Sequence, residues 1–449
     1  MIAFLNQNLR WLAPGFLLTF ASAFGQTWFI ALFAGEIKAV YGLSNGGWGS
    51  LYTLATLVAA GLLFLRGALA DTMPLWRLAS AVALAFALAA ALMAWTSSPW
   101  LLGLALIGLR FCGQGMFPHV ALTAMGRWFR AQRGRAVSLV ILGHAFGEMV
   151  IPLITVAAIA GLGWRLTWGG VALLLALGLA PAAALLFARG RAPEGGGEGG
   201  AEEAPGLGGR HWSRADALGH WLLPALLPFL LTPGFVGTVV YFHQSNISSV
   251  KGWAQAEMAR GYPVYATLAI AAALFAGWAC DRFGPERLLP VFLLPMALGV
   301  TLIGPAGQVG LWIAALGLLG ATQGMASALW GALLPAVYGT RHLGAVRSLA
   351  TTVMVVSTAI GPGITGILID RGVDFPRQCL AMGIWCLGLG ALGLVVLRRL
   401  RLEAAETRSA RPRRRSLHLT GAGLRDRATG KGEGRGPQSI PRPKRRGPP

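Results

Sequence analysis

Long apolar runs, separated by short polar connections, dominate this chain from residue 11 to residue 398. A helix that crosses a bilayer needs about 20 mostly apolar residues, and Pro or Gly within such a run does not exclude it in lipid. The pattern therefore predicts twelve membrane-spanning helices. They cover residues 11–34, 48–66, 77–96, 99–122, 134–158, 166–188, 220–243, 261–280, 288–304, 309–335, 343–369 and 378–398.

Composition and charge agree with this pattern. The chain is 55% hydrophobic and only 12% charged, whereas globular domains carry about 25% charged residues. With the N-terminus inside, the inner connections carry fifteen Arg and the outer ones six Lys or Arg. Basic residues concentrate in cytoplasmic connections, so both termini are predicted to be cytoplasmic. An N-terminal signal peptide is the alternative for the first run, but no convincing cleavage site follows it.

More than half of the net charge of +21 lies beyond the last apolar run, where 16 Arg or Lys face four acidic residues from Arg398 onward. Residues 401–449 are rich in Pro, Gly and Arg, a composition typical of disorder. We interpret them as a solvated cytoplasmic tail close to anionic lipid headgroups. Specific binding of the tail to nucleic acid or protein is the alternative, and no nucleic-acid partner is predicted.

The chain consists of two copies of one unit, offset by about 210 residues. The motif "GALADTMPLWR" (67–77) returns as "GWACDRFGPER" (277–287). Other matches hold the same offset, and they pair Trp11 with Trp221, Pro14 with Pro224, Gly134 with Gly344 and Pro152 with Pro362. Repeats of this kind indicate two structural units. We predict two six-helix bundles, residues 1–189 and 218–400, joined by a flexible Gly- and Glu-rich cytoplasmic linker at 190–217.

These features resemble the major facilitator superfamily over residues 10–400. "GWACDRFGPER" is close to the family's loop signature between the second and third helices of a half, and "LRFCGQG" is similar to its fourth-helix signature. The segments "GRWFRAQRGRAVSLVILGHAFGEMVIP" and "YGTRHLGAVRS" look most like bacterial members near the monocarboxylate and oxalate/formate branches. The resemblance implies an all-α fold with two pseudo-symmetric bundles and a transport function.

The loop motif is expected to act as a latch that holds the cytoplasmic side shut. A carboxylate at the end of one helix can accept from the free amides of a facing helix N-terminus, and a small residue lets that helix approach. A simple surface turn is the alternative interpretation. The predicted latch residues are Gly67, Asp71, Gly277, Asp281, Arg282 and Arg287.

Arg110 lies about 11 residues into a span and therefore near the middle of the membrane. A charge at that depth costs at least ~2.5 kcal/mol and needs a partner or a cavity. Glu148, on the next helix at similar depth, is a candidate partner, and His144 is one turn earlier on the same face. Arg110 can pair with Glu148, bind an anionic substrate, or do each in turn. Glu148 and His144 are candidate proton carriers.

Weaker candidates complete the predicted site. Gln114 and Gln323 occupy equivalent places on the fourth and tenth helices, which line the central cavity in the family that the chain resembles, and Gln26 and Tyr52 are candidates to join them. Small residues and prolines suit close packing or hinges in gating helices; the candidates are Gly143, Gly147, Pro152, Gly361, Pro362 and Gly363.

The pattern favours a secondary transporter rather than an enzyme. The sequence shows no nucleophile–base pair, nucleotide loop, cofactor motif or metal-ligand spacing, and its four cysteines lack disulfide spacing. We predict a monomeric inner-membrane protein that moves a small organic anion, such as a monocarboxylate, together with protons in symport. Proton-driven efflux of amphipathic compounds is the alternative, and a transporter-like sensor that signals through its tail is a third.

Overall fold

The chain folds into α-helices throughout the described residues, which in this computed structural model are 2–129, 132–188 and 205–409. No strand occurs among them. The helices of the first half are α1 (Ile2–Ala21), α2 (Thr27–Ala31), α3 (Ala34–Tyr41), α4 (Asn45–Arg66), α5 (Leu69–Thr72), α6 (Leu75–Trp95), α7 (Pro99–Leu109), α8 (Phe117–Trp128), α9 (Arg133–Leu162), α10 (Trp164–Leu173) and α11 (Ala180–Ala188). Those that follow are α12 (Arg214–Gly219), α13 (Leu222–Phe242), α14 (Gln244–Lys251), α15 (Gln255–Ala259), α16 (Gly261–Phe283), α17 (Leu294–Ile303), α18 (Val309–Tyr338), α19 (Leu343–Asp370) and α20 (Phe375–Ser409).

Ten stretches of the described chain are long and apolar enough to cross a membrane as single helices. Two of the twelve predicted spans differ from a simple helix. The first is interrupted twice. Its helix breaks at residues 22–26, and beyond this break the segment Phe4–Ala31 meets Ala34–Tyr41 at an angle of 63°. The ninth is the short apolar helix α17, whose 10 residues reach only about 15 Å at 1.5 Å per residue. The architecture is consistent with twelve spans, of which these two are irregular.

Small polar and glycine residues mark where the helices begin and end. Ser44 caps α4, its hydroxyl accepting from the backbone N–H of Gly47 at 3.0 Å. Gly284 follows the last residue of α16 with a φ of 89°, a backbone conformation that favours glycine. The second glycine of "GWACDRFGPER" is therefore explained by the end of its helix, which turns sharply into the next connection.

The two halves meet most closely at one end of the bundle, called here the closed end, where α4 begins and α19 ends. The Thr53 hydroxyl donates to the carbonyl of Ala359 at 2.7 Å and accepts from the backbone N–H of Gly363 at 3.2 Å. A side chain on Gly49 would collide with the backbone carbonyl of Pro362. Glycine thus allows the two helix backbones to touch, as small residues do between membrane helices.

The described part of the predicted flexible linker is ordered against the second half. The backbone N–H of Trp212 donates to the carbonyl of Tyr338 at 3.1 Å, and the two rings pack edge to face at 6.0 Å. Ser213 and Asp216 form a capping box at the start of α12, and the hydrogen bond from the Ser213 hydroxyl holds the pKa of Asp216 below its usual value. Residues 205–217 of the predicted linker therefore pack against the second half in this structure. Residues 189–204 lie outside the described part.

The last helix continues past the predicted end of the second bundle at residue 400. α20 extends to Ser409, and the Glu403 carboxylate accepts from the indole N–H of Trp221 at 3.1 Å and lies 3.2 Å from Nε2 of His220. The first residues of the predicted tail therefore belong to the fold. Residues 410–449 lie outside the described chain.

Candidate functional site

A central cavity of about 380 Å³ lies between the two halves. Both halves contribute to its wall, as expected of a transport site that lies at the interface between two structural repeats. The lining contains a carboxylate, an imidazole, three carboxamides and several hydroxyls among mostly apolar side chains. Its residues are Gln26, Thr27, Trp28, Gln114, Ile141, Leu142, His144, Ala145, Glu148, Pro233, Gly234, Gly237, Thr238, Tyr241, Tyr265, Ala269, Ile270, Ala273, Gln323, Gly324, Ser327, Met354 and Thr358.

The break in the first span delivers three residues to this wall. A 3-10 turn at Ser22–Gly25 ends α1, and Gln26 is extended, with φ −80° and ψ 153°, before α2 begins. At Gly25 an added side chain would collide with the carbonyl of Leu109 and meet Cα of Gly113 at 2.7 Å. Gln26 and the first two residues of α2 consequently line the cavity. A broken helix of this kind is tolerated in a membrane where the freed backbone groups find partners.

Arg110 supplies one such partner. Its Nη1 donates to the carbonyl of Gly25 at 3.0 Å and to the hydroxyl of Thr27 at 3.3 Å. The guanidinium also lies 5.1 Å from the ring centroid of Tyr52, a favourable cation–π contact. Arg110 is only 2% exposed and begins a π-helical turn, Arg110–Met116, between α7 and α8. Such π turns often occur at functional sites.

The structure does not form the predicted Arg110–Glu148 pair. The hydrogen-bond partners of the guanidinium are Gly25 and Thr27, and its Nε and Nη2 atoms have no partner among the described residues. Arg110 and Tyr52 are also absent from the cavity lining. In this conformation the arginine stabilises the break in the first span from behind the wall, so direct contact with a substrate would require a rearrangement.

Glu148 faces the cavity and binds the opposite half. Its Oε1 accepts a hydrogen bond from the Tyr241 hydroxyl at 3.2 Å, and the glutamate is 7% exposed. His144, one helical turn away, has its Nδ1 3.5 Å from the hydroxyl of Ser22. The two predicted proton carriers therefore lie in one wall, with Glu148 in contact across the interface between halves.

Three other predicted binding residues reach the cavity and one does not. Gln26, Gln114 and Gln323 line it, with the last two contributed by opposite halves. Tyr52 is fully buried, and its hydroxyl donates to Thr27 at 2.7 Å. Tyr52 thus supports the residue beside the cavity rather than facing the cavity itself.

The predicted latch residues lie at the far end of the bundle, opposite the closed end. The side chains of Asp281, Arg282 and Arg287 are exposed. A side chain on Gly277 would meet nothing within 4 Å, so the expected close approach of a helix at this glycine is absent here. Gly67 ends α4, and its carbonyl lies 3.0 Å from Nε2 of His119.

The side chain of Asp71 lies outside the described part of the structure. The second copy of the motif is not engaged in this conformation, and its latch function stays a prediction.

The predicted hinge residues are packing residues in this conformation. A side chain on Gly143 would collide with the Thr19 hydroxyl, and one on Gly147 would meet the Phe20 carbonyl at 3.0 Å. A side chain on Gly361 would meet Cγ1 of Val239 at 2.7 Å. Helices α9 and α19 continue through their internal prolines, Pro152 and Pro362. Movement at any of these positions stays a prediction.

Sequence reasoning missed the aromatic part of the site. Tyr241 stacks on Tyr262 with ring centroids 5.7 Å apart and an interplanar angle of 7°, and it packs edge to face with Tyr265 at 5.5 Å. Trp28 lies 5.9 Å from Tyr262 across the interface between halves. One signal was available in the sequence. Three of only six tyrosines lie close together at the end of one apolar run and the start of the next.

Two helical halves around a shared membrane cavity, closed at one end, define a polytopic membrane transporter. A family model described as Major Facilitator Superfamily matches residues 15–270 and 251–432. The chain belongs to this superfamily, and the resemblance inferred from its motifs is confirmed.

Solved structures agree on the fold. A bacterial homologue of the human lysosomal transporter Spinster, inward-facing and unoccupied, superposes with a TM-score of 0.64 at 17% identity, covering 88% of this chain and 95% of that one. The nucleoside transporter NupG gives a TM-score of 0.60 at 10% identity, covering 88% and 98%. At these identities the likeness concerns the fold. No curated protein sequence matches the chain.

Proposed function

We propose that this protein is a proton-coupled secondary transporter of the bacterial inner membrane that works as a monomer by alternating access. The observation that supports it best is the cavity wall, which both halves build and in which a carboxylate of one half bonds to a hydroxyl of the other. A rocking motion of the halves would break this contact and open the closed end. If both termini are cytoplasmic, as the charge pattern predicts, the closed end is periplasmic and this conformation faces inward.

Glu148 is the proposed proton site, with His144 as a secondary candidate. A carboxylate removed from water favours its neutral form, while a donor such as Tyr241 favours the charged form. Alternate exposure of Glu148 to the two sides would load and release one proton in each cycle. The proton would reach Glu148 from water in the cavity, which the carboxylate lines.

The geometry favours an amphipathic, neutral or cationic substrate. Among the described residues that line the cavity, Glu148 is the acidic group, and none is Arg or Lys. The remaining polar groups are neutral amides, hydroxyls and an imidazole, set among aliphatic and aromatic side chains. Such a wall offers hydrogen bonds and apolar surface, together with attraction for a positive charge. For this reason we propose efflux of an amphipathic compound as the first candidate and transport of a small organic anion as the second.

One observation keeps the organic anion as the second candidate. Nε and Nη2 of Arg110 are buried without partners among the described residues, and Thr27, which the guanidinium contacts, lines the cavity. A guanidinium holds a carboxylate through two parallel hydrogen bonds. If Gln26 and Thr27 move aside, these N–H groups would become available to an anion.

A transport assay in proteoliposomes separates the two candidates. Labelled small monocarboxylates and labelled lipophilic amines are each offered with an imposed pH gradient of either sign. We expect the amine to accumulate on the acidic side in exchange for protons, and we expect Glu148→Gln to lose this accumulation. We expect no uptake of carboxylates. Carboxylate uptake that Arg110→Lys abolishes would instead establish the anion candidate. A transport rate and an accumulation level that do not change with the pH gradient in the wild-type protein would refute proton coupling.

A further inference from the structure

Tyr241 makes a cross-half contact with the side chain to which we assign the coupling proton. Its hydroxyl lies 3.2 Å from Oε1 of Glu148, and it is the donor to that carboxylate among the described residues. The tyrosine is 7% exposed, as is the glutamate. Because α13 and α9 belong to different halves, this hydrogen bond can exist only while the halves are close together at this level.

The ring of Tyr241 is held in place independently of its hydroxyl. It stacks on Tyr262 and packs against the edge of Tyr265, both on α16. Tyr262 in turn donates to the carboxamide of Gln244 at 2.9 Å, and Gln244 donates to the backbone carbonyl of Trp28 at 3.1 Å. The aromatic cluster therefore has its own contact with the first half. The packing of the Tyr241 ring on Tyr262 and Tyr265 therefore holds its hydroxyl in a position to donate to Glu148.

The other titratable groups that face Glu148 are one imidazole and two phenols, and the nearest arginine on the adjacent helix is engaged elsewhere. His144 lies one turn away on α9, and Tyr262 and Tyr265 face it from α16. Arg165 on the neighbouring α10 donates to the carbonyls of Ala94 and Thr96. The remaining helices packed on α9 carry five further charged groups, which are Arg10 on α1, Arg127 on α8, Glu257 on α15, and Asp281 and Arg282 on α16.

We propose that Tyr241 is a positioning residue that sets the pH at which Glu148 takes up its proton and that links this protonation to closure of the halves. The inference rests on the proposed proton-coupled function. The hydroxyl donates to the carboxylate and favours its charged form, because a hydrogen bond to an ionised acceptor is about twice as strong as a neutral one. Protonation of Glu148 weakens the contact across the halves, and separation of the halves removes the donor and makes protonation easier.

An infrared titration of the full-length protein in liposomes tests this without a known substrate. The band of the protonated Glu148 carboxyl is identified by its loss in Glu148→Gln. Tyr241→Phe retains the ring packing and removes the donor. The charged form then loses its partner, and we expect the midpoint of the band to rise by about one pH unit. Tyr41→Phe is the matched control, since its hydroxyl donates to Thr96 within the same half, and its midpoint should equal that of the wild type.

A second variant covers the case in which Tyr241→Phe does not fold. A ring-fluorinated tyrosine at position 241 has nearly the same volume and a more acidic hydroxyl, so it should donate more strongly and lower the midpoint. Spin labels on the two halves at the closed end should show a separated population that rises as the pH falls in the wild type and that depends much less on pH in Tyr241→Phe, which lacks the contact that protonation weakens.

The outcomes separate this inference from the proposed function. An unchanged midpoint in both Tyr241 variants, or an equal shift in Tyr41→Phe, overturns the assignment of Tyr241. Absence of a titrating Glu148 band in the wild type overturns it as well. Transport that stays proton-driven in Glu148→Gln refutes the proposed proton site, while a shifted band in Tyr241→Phe would still support the positioning role of Tyr241.

Discussion

The carboxylate of Asp370 accepts a hydrogen bond from the backbone N–H of Gly46 at 2.8 Å and a second from Asn45 at 3.1 Å. Asp370 ends α19, and the two amides begin α4 in the other half. A carboxylate at a helix N-terminus satisfies free amides and complements the helix dipole. Lys38 adds to the cluster, since its Nζ donates to the side-chain oxygen of Asn45 at 2.8 Å.

Replacement of this carboxylate should loosen the closed end. Asp370→Asn keeps the side chain's size and removes the charge, which at a helix N-terminus contributes roughly 0.3–1 kcal/mol. Distances between spin labels on the closed-end termini of α4 and α19 should shift toward longer values.

Asp374→Asn is the matched control, because Asp374 accepts from the backbone N–H of Arg377 within its own half. An unchanged distance distribution in Asp370→Asn would show that the contact does not hold the end shut.

The same physical interaction was expected from the sequence, but at the other end of the molecule. The repeat in residues 67–77 and 277–287 directed attention to Asp281, which is exposed here. Asp370 carries no motif, and its role depends on which helix of the other half begins opposite it. A pattern within the chain reveals an element that recurs, whereas a contact between halves depends on the conformation that brings them together.

The fold was more accessible to sequence reasoning than the site. Apolar length alone located the spans, and the 210-residue offset divided them into halves. Gln114 and Gln323 are predicted from their equivalent places on helices that line the cavity in the family that the chain resembles. Glu148 is predicted from its depth beside Arg110, a buried charge that needs a partner or a cavity. The position of Arg110 behind the wall follows from the break at Gly25 and the π turn at Arg110–Met116, and neither irregularity has a clear signal in composition or periodicity.

Close packing of α4 on α19 makes a sharp prediction about glycine. At Gly49 an added methyl group would collide with the Pro362 carbonyl, whereas at Gly61 on the same helix it would meet nothing within 4 Å. Gly49→Ala should therefore destabilise this conformation by about 1–3 kcal/mol, the range for overpacked sites. Gly61→Ala should be neutral or stabilise by up to about 1 kcal/mol.

Thermal unfolding of both variants in detergent checks the difference, and closed-end label distances show whether Gly49→Ala separates the halves. Equal transition temperatures would contradict the close contact between the two helices.

The exposure of Asp281 gives its substitution a conformation-dependent effect. Asp281→Asn should leave the stability of this closed-end conformation unchanged, because the side chain is exposed here. It should reduce the population in which the far end is shut, if the motif is a latch in that state. Spin labels at the far end would then report fewer short distances, and labels at the closed end would report fewer long ones. A change in neither distribution would leave the motif as a surface turn.

A tail truncation has a structurally defined starting point. Deletion of residues 410–449 retains Glu403, which binds Trp221 and His220, and should leave transport and thermal stability near wild-type values. Deletion from residue 403 removes that contact and should lower the transition temperature. Loss of transport in correctly inserted protein after the shorter deletion would favour a sensor role for the tail.

The placement of Arg110 predicts that removing the charge of Glu148 does not compensate for removing the charge of Arg110. If the two formed an ion pair, the uncharged double variant Arg110→Leu with Glu148→Gln would recover what either single change lost. The guanidinium instead donates to the Gly25 carbonyl and the Thr27 hydroxyl, so Arg110→Leu leaves the break in the first span without its partner whatever stands at position 148. We expect the double variant to be no more stable or active than Arg110→Leu alone. Arg110→Lys should retain part of the stability, since an ammonium can still donate to the Gly25 carbonyl but lacks the planar face above Tyr52. The measurements are thermal unfolding and proteoliposome transport of the wild type, Arg110→Leu, Arg110→Lys and the double variant. Recovery of stability and transport in the double variant would restore the ion-pair hypothesis.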